Sequence, residues 1–114
     1  MRIAAGCMFL LLAGCAGSAM NEAREGAPLQ TLNSDKDAKL VAECTQYAWQ
    51  DEAMFGISAD AMIEAQGGGY TVYTVGGKYF ADVRKGPEGT SVKYYSSVPG
   101  DLAQTRLAAL ATCL

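Results

Sequence analysis

Residues 70–84, YTVYTVGGKYFADVR, carry the strongest structural signal in the chain. Residues 70–75 are β-branched or aromatic throughout, which favours a strand. Gly76 and Gly77 are a two-residue hairpin signal, and residues 78–84 continue as a second strand. A turn cluster, KGPEG at 85–89, leads into a third strand at 90–98. The sequence therefore predicts a three-stranded antiparallel meander.

Helices are predicted on both sides of this meander. The first is expected over residues 35–54, a second short one over 59–66, and the last over 102–113, where Asp101 and Gln104 resemble a capping box. The apolar stripe of the first helix consists of Leu40, Val41, Cys44, Tyr47 and Ala48. The predicted fold class is α+β, with the N- and C-terminal helices packed on one face of the sheet.

The N-terminus has the proportions of an export signal. Met1-Arg2 precedes an apolar run of about ten residues, whereas a helix that spans a bilayer needs about twenty. The run ends in Leu12-Ala13-Gly14-Cys15, which resembles the lipobox of bacterial lipoproteins. In that family the Cys is acylated, with palmitate among its acyl chains, and becomes the first residue of the mature chain. The resemblance implies lipidation of Cys15; the alternative is an ordinary secretion signal with an incidental Cys.

The resemblance also divides the chain. Residues 1–14 are expected to be a lipoprotein signal peptide, residues 15–34 a lipidated flexible tether, and residues 35–114 a small α+β periplasmic domain. The tether is predicted because residues 16–34 are rich in small and polar residues and contain Pro28. Since Ala16 rather than Asp follows the Cys, the resemblance implies the periplasmic side of the outer membrane. Exposure on the cell surface is the alternative.

Two further cysteines remain, Cys44 and Cys113. In an oxidising compartment such a pair normally forms a disulfide, which here would join the first helix to the last. A bridge to another chain is the alternative. A redox or metal site is not favoured, because the chain has no Cys-x-x-Cys spacing and no His.

Catalytic patterns are weak throughout the sequence. The absence of His excludes Ser-His and Cys-His pairs as well as His metal ligands. Two carboxylate pairs, Asp51 with Glu52 and Asp60 with Glu64, are expected to lie on solvated faces. The net charge of −3 argues against a nucleic-acid partner. We therefore predict a protein that is not an enzyme and that uses no metal or cofactor.

Strand alternation separates two faces of the meander. The residues predicted to face inward are Tyr79, Ala81, Val83, Val92 and Tyr94. The residues predicted to face outward and bind a partner are Phe80, Arg84, Lys93 and Tyr95. Aromatic rings flanked by Arg and Lys are typical of interface hot spots. The alternative is that the tether or the loop over residues 55–66 covers this face.

These features favour an accessory lipoprotein that binds another envelope protein, as an assembly factor or a secretion-system component. Residues 35–66 are acidic and residues 67–114 are mildly basic, which would orient the domain against a charged partner. The alternative is an immunity or inhibitor lipoprotein that neutralises a periplasmic toxin or a cell-wall hydrolase.

Overall fold

A computed structural model describes residues 15–51 and 60–114. The predicted signal peptide lies outside the described residues, as do the predicted end of the first helix and the predicted start of the second. The described residues form three α-helices and one five-stranded antiparallel sheet. In chain order the elements are α1 (Cys15–Arg24), β1 (Gln30–Ser34), α2 (Ala38–Asp51), β2 (Ala61–Gln66), β3 (Gly69–Thr74), β4 (Tyr79–Gly86), β5 (Gly89–Ser96) and α3 (Asp101–Ala111).

The α+β class is confirmed, but the sheet is wider than predicted. Strands β3, β4 and β5 form the expected meander, and the strand order is β1-β5-β4-β3-β2. The two additional strands therefore occupy the two edges. The prediction of three strands is wrong because neither edge strand has a marked strand pattern in the sequence.

Residues 61–66 form strand β2, although a helix was predicted there. The segment AMIEAQ consists mostly of good helix formers. In the structure it pairs with β3 from Ala61 opposite Thr74 to Gln66 opposite Gly69. This pairing buries Ala61 and packs Ile63 against the core. Tertiary contacts thus override the local helix propensity.

Residues 15–34 are not a free tether in this structure. Their first part is α1, and their last part is β1, which pairs with β5 from Gln30 opposite Tyr94 to Ser34 opposite Thr90. The hydroxyl of Ser34 also donates a hydrogen bond to the carbonyl of Leu114 (3.1 Å). The segment is therefore part of the folded domain at both of its ends.

The main core lies between the inner face of the sheet and helices α2 and α3. The predicted inward direction of Tyr79, Ala81, Val83, Val92 and Tyr94 is confirmed. The helices contribute the other large members of this core, which are Val41, Trp49 and Leu110. The inner face is thus fully used for packing, and it fixes α2 and α3 on one side of the molecule.

Helix α2 faces the core with a different stripe from the one predicted. Its buried residues are Ala38, Val41, Ala42, Thr45 and Trp49. Trp49 is fully buried, donates its indole N–H to the carbonyl of Arg106 (3.0 Å), and lies edge-on against Tyr94. Trp buries the largest apolar area of any residue and needs one acceptor, so its position sets the rotation of the helix.

The predicted disulfide between Cys44 and Cys113 is confirmed. Cys44 lies on the exposed side of α2, and Cys113 is buried just beyond the end of α3. The two Cα atoms are 5.7 Å apart, although 69 positions separate them in sequence. The bridge therefore links the two helices of the inner face and closes a loop that contains β2 to β5.

Candidate functional site

Helix α1 covers the outer face of the sheet, which we define as the face opposite α2 and α3. Its Met20 and Ala23 pack on a second small apolar cluster that contains Phe80, Tyr95 and Tyr73. The rings of Phe80 and Tyr95 stack with centroids 4.6 Å apart. The aromatic pair that the sequence offered as a binding surface is thus a packing surface for the chain's own first helix.

A charged side chain fixes the C-terminal end of α1 on this face. The guanidinium of Arg24 donates two hydrogen bonds to the carboxylate of Asp82, each 2.7 Å long. The hydroxyl of Thr71 donates to the same carboxylate (2.8 Å) and lies 3.2 Å from Arg24 Nη2. Arg24 also lies 5.0 Å above the centre of the Phe80 ring. Such bidentate, charge-assisted contacts define one geometry and are stronger than neutral hydrogen bonds.

Burial and neighbouring charges shift the pKa values of Asp82 and Tyr95. Burial raises the pKa of Asp82, but the hydrogen bonds from Arg24 and Thr71 and the charge of Arg24 outweigh it, so the pKa lies below its usual value. Burial raises the pKa of Tyr95, and the charge of Asp82 adds to the effect. The Arg24–Asp82 pair is therefore fully charged at neutral pH.

The four predicted partner-binding residues do not form one exposed patch. Phe80 and Tyr95 point outward as predicted, but both are buried, so the expectation that they are accessible is wrong. Arg84 is half-buried and donates to the carbonyl of Gly67 (3.0 Å). Lys93 is exposed. The alternative, in which the predicted tether covers this face, is the arrangement observed, since α1 packs there.

The exposed side of α2 presents a different apolar surface. Leu40 and Tyr47 are 60% and 64% exposed, and Cys44 between them is also exposed. Residues at spacings of four and three lie on one face of a helix, so the three form a continuous line that we call the Leu40–Tyr47 stripe. The sequence pattern identifies these residues as apolar, but the prediction that they face the core is wrong. The sequence feature that could have revealed this exposed surface is that α2 has more apolar positions than a single buried face can hold.

The concave regions of the described residues are shallow. An open groove of about 370 Å³ lies between the start of α2 and the β2–β3 turn, and its lining includes Tyr70, Asp37 and Lys85. Lys85 Nζ lies 3.9 Å from Asp37 Oδ1, and both side chains are solvent-exposed. A smaller cleft of about 210 Å³ includes Asp60, Lys78 and Arg106. Asp60 and Glu64, expected to be solvated, are both exposed.

The described part of the chain contains no cluster of three or more His, Cys, Asp or Glu residues arranged to hold a metal ion. Nor does any of its helices have the length and apolar character needed to span a membrane. Comparison with protein-family models, curated proteins and solved structures found no match. The chain's own surfaces therefore supply the evidence for its function.

Proposed function

We propose that the protein is an accessory lipoprotein of the bacterial envelope that binds another envelope protein through the Leu40–Tyr47 stripe. In this proposal Cys15 is acylated and holds the chain at the periplasmic side of the outer membrane. The observation that carries the binding surface is that α2 buries one apolar face in the core and presents a second apolar line to solvent.

The chemistry of the stripe suits a protein partner. Full burial of a Leu side chain is worth about 1.5–3 kcal/mol, and Tyr is enriched in interface hot spots. The stripe lies on a helix that is held rigidly by Trp49 and by the disulfide at Cys44. Such pre-organisation reduces the entropy lost on binding. A partner with an apolar groove can accept Leu40 and Tyr47 as helix anchors.

Acylation is tested first, by metabolic labelling with palmitate and by intact-mass analysis. We expect the wild-type protein to carry label and a mass increase at Cys15, and the Cys15→Ala variant to carry neither. An unlabelled wild-type protein that fractionates without the membrane would reject the anchor and, with it, the envelope assignment.

Partner binding is tested by capture from detergent-solubilised native membranes. We expect Leu40→Ser and Tyr47→Ser each to lower recovery of one defined protein at least about tenfold, as the loss of one buried anchor implies. Leu29→Ser is the matched control, because Leu29 is an exposed apolar residue (46%) outside the stripe. Equal recovery with all three variants would reject the stripe. Recovery of a toxin or a cell-wall hydrolase would favour the inhibitor hypothesis instead.

A further inference from the structure

The position of α1 determines where an anchor on Cys15 would sit relative to the sheet. Arg24 lies at the level of Asp82, and Met20 lies at the level of Phe80, so the helix runs toward the β3–β4 turn as it approaches its N-terminus. Helix α1 also contacts that turn, Val75–Gly77, directly. The chain from Met20 to Cys15 rises about 7.5 Å, and the strand from Phe80 to Gly77 covers about 10 Å. Cys15 therefore lies level with the turn.

The same end of the sheet carries exposed apolar side chains. Val75 is 65% exposed and Val98 is 38% exposed. The backbone N–H of Ser97 donates to the carbonyl of Lys78 (2.9 Å), which holds Val98 beside the β3–β4 turn. We call this surface, formed by Val75, Lys78 and Val98, the turn end of the sheet.

We propose that the turn end of the sheet lies against the lipid bilayer when Cys15 is acylated. This inference rests on the proposed function, because it requires the acyl anchor. The anchor residue begins a helix that is packed along the sheet and held by the Arg24–Asp82 pair, so no free linker separates the lipid from the domain. The domain then has one orientation, in which Val75 and Val98 reach the interface and the Leu40–Tyr47 stripe, on the opposite face from α1, stays available to a partner.

The charges at this end indicate an interfacial contact rather than binding to anionic lipid. The cleft lined by Lys78 also contains the acidic Asp60 and the buried Arg106, and Asp101 begins α3 beside Leu102, which lines the same cleft. Positive charge therefore does not dominate the surface, whereas anionic membranes attract clusters of several Lys or Arg. We accordingly expect the turn end of the sheet to contact a bilayer of zwitterionic phosphatidylcholine without any anionic lipid.

The test places a fluorescent Trp at each end of the sheet in the acylated full-length protein. Val75→Trp reports the turn end, and Glu88→Trp is the control at the β4–β5 turn. The eight residues of β4 separate the two positions by about 26 Å. Trp49 is fully buried and contributes the same background to both variants. The proteins are reconstituted into phosphatidylcholine vesicles whose acyl chains are brominated near the glycerol backbone.

We expect the brominated lipid to quench the Val75→Trp signal at least about twofold more strongly than the Glu88→Trp signal, and Val98→Trp to behave like Val75→Trp. Quenching that is equal at both ends, or absent at both in a protein whose acylation is verified by mass, would overturn the orientation and leave the anchor intact. A protein that carries no acyl chain would overturn the anchor and the orientation together.

Discussion

Asp82 is the residue on which the outer face depends. Its side chain is almost fully buried beneath α1, and its partner Arg24 comes from that helix. Nothing in the sequence around Asp82 marks it, because an acidic residue at an outward strand position normally faces water. Its role follows from the presence of α1, so local patterning could not predict it.

The substitution Asp82→Asn should loosen α1 without unfolding the inner core. It removes charge-assisted hydrogen bonds worth about 1.5–3 kcal/mol, so amide exchange in residues 15–24 should become about tenfold to a hundredfold faster. Hydrogen exchange read by mass spectrometry measures this. Glu22→Gln, an exposed change on the same helix, is the control and should leave exchange unaltered. Unchanged exchange in Asp82→Asn would contradict the assigned role of the pair.

The same pair predicts a pH dependence. The pKa of Asp82 in the folded protein lies below its unfolded value of about 3.9. The stabilisation that the charged Asp82 gives to α1 is therefore fully present above that pH. It is lost as the pH falls through the folded pKa. Protection of α1 should therefore persist through mild acid and decline only below about pH 4, and this decline should be absent in Asp82→Asn.

At the scale of single elements, the sequence predicted best where pattern and packing agree. The three strands of the meander, the position of α3 and the disulfide pair were predicted, since β-branched runs and glycine turns are local features. The predicted cap at Asp101 was wrong, because Gly100 is the N-cap residue of α3 and no side-chain hydrogen bond caps the helix there. Strand β2 was not predicted, because its helix-forming residues become a strand only through pairing with β3. The position of helix α2 was predicted, but its buried face was not. Apolar residues lie on both faces of the helix, so the sequence does not determine which face packs on the core. The apolar face that remains exposed is the Leu40–Tyr47 stripe.

The β2–β3 connection offers a sharp test at this scale. A Cβ on Gly69 would lie 2.0 Å from the backbone oxygen of Val83, so β3 and β4 cannot keep their pairing with Ala at this position. At Gly67 an added Cβ meets nothing within 4 Å. Gly69→Ala should therefore cost about 1–3 kcal/mol, whereas Gly67→Ala should be nearly neutral. Urea denaturation of the two variants gives the comparison, and equal midpoints would show that β3 and β4 do not approach each other this closely.

The described part of the molecule is a sheet that is covered by different helices on its two faces. On the inner face, α2 and α3 share a core and the Cys44–Cys113 bridge. On the outer face, α1 packs on the Phe80–Tyr95 stack and is held by Arg24. In the part of the chain that the structure describes, the sheet lies between the two layers. The proposed function uses this separation, because it assigns the anchor to the outer layer and the partner surface to the inner layer.

If the layers are independent, their stabilities should add. The double replacement Cys44→Ala with Cys113→Ala should lower the free energy of unfolding by about 4 kcal/mol, as the chain-entropy treatment gives for a loop of this length. Exchange in α1 should increase only through global unfolding. Combining this replacement with Asp82→Asn should give the sum of the separate effects within about 0.5 kcal/mol, as is usual for distant sites. Denaturation and hydrogen exchange on the three proteins measure both terms. A larger deviation would mean that the sheet transmits strain between its faces, so that partner binding on α2 would alter how firmly α1 is held.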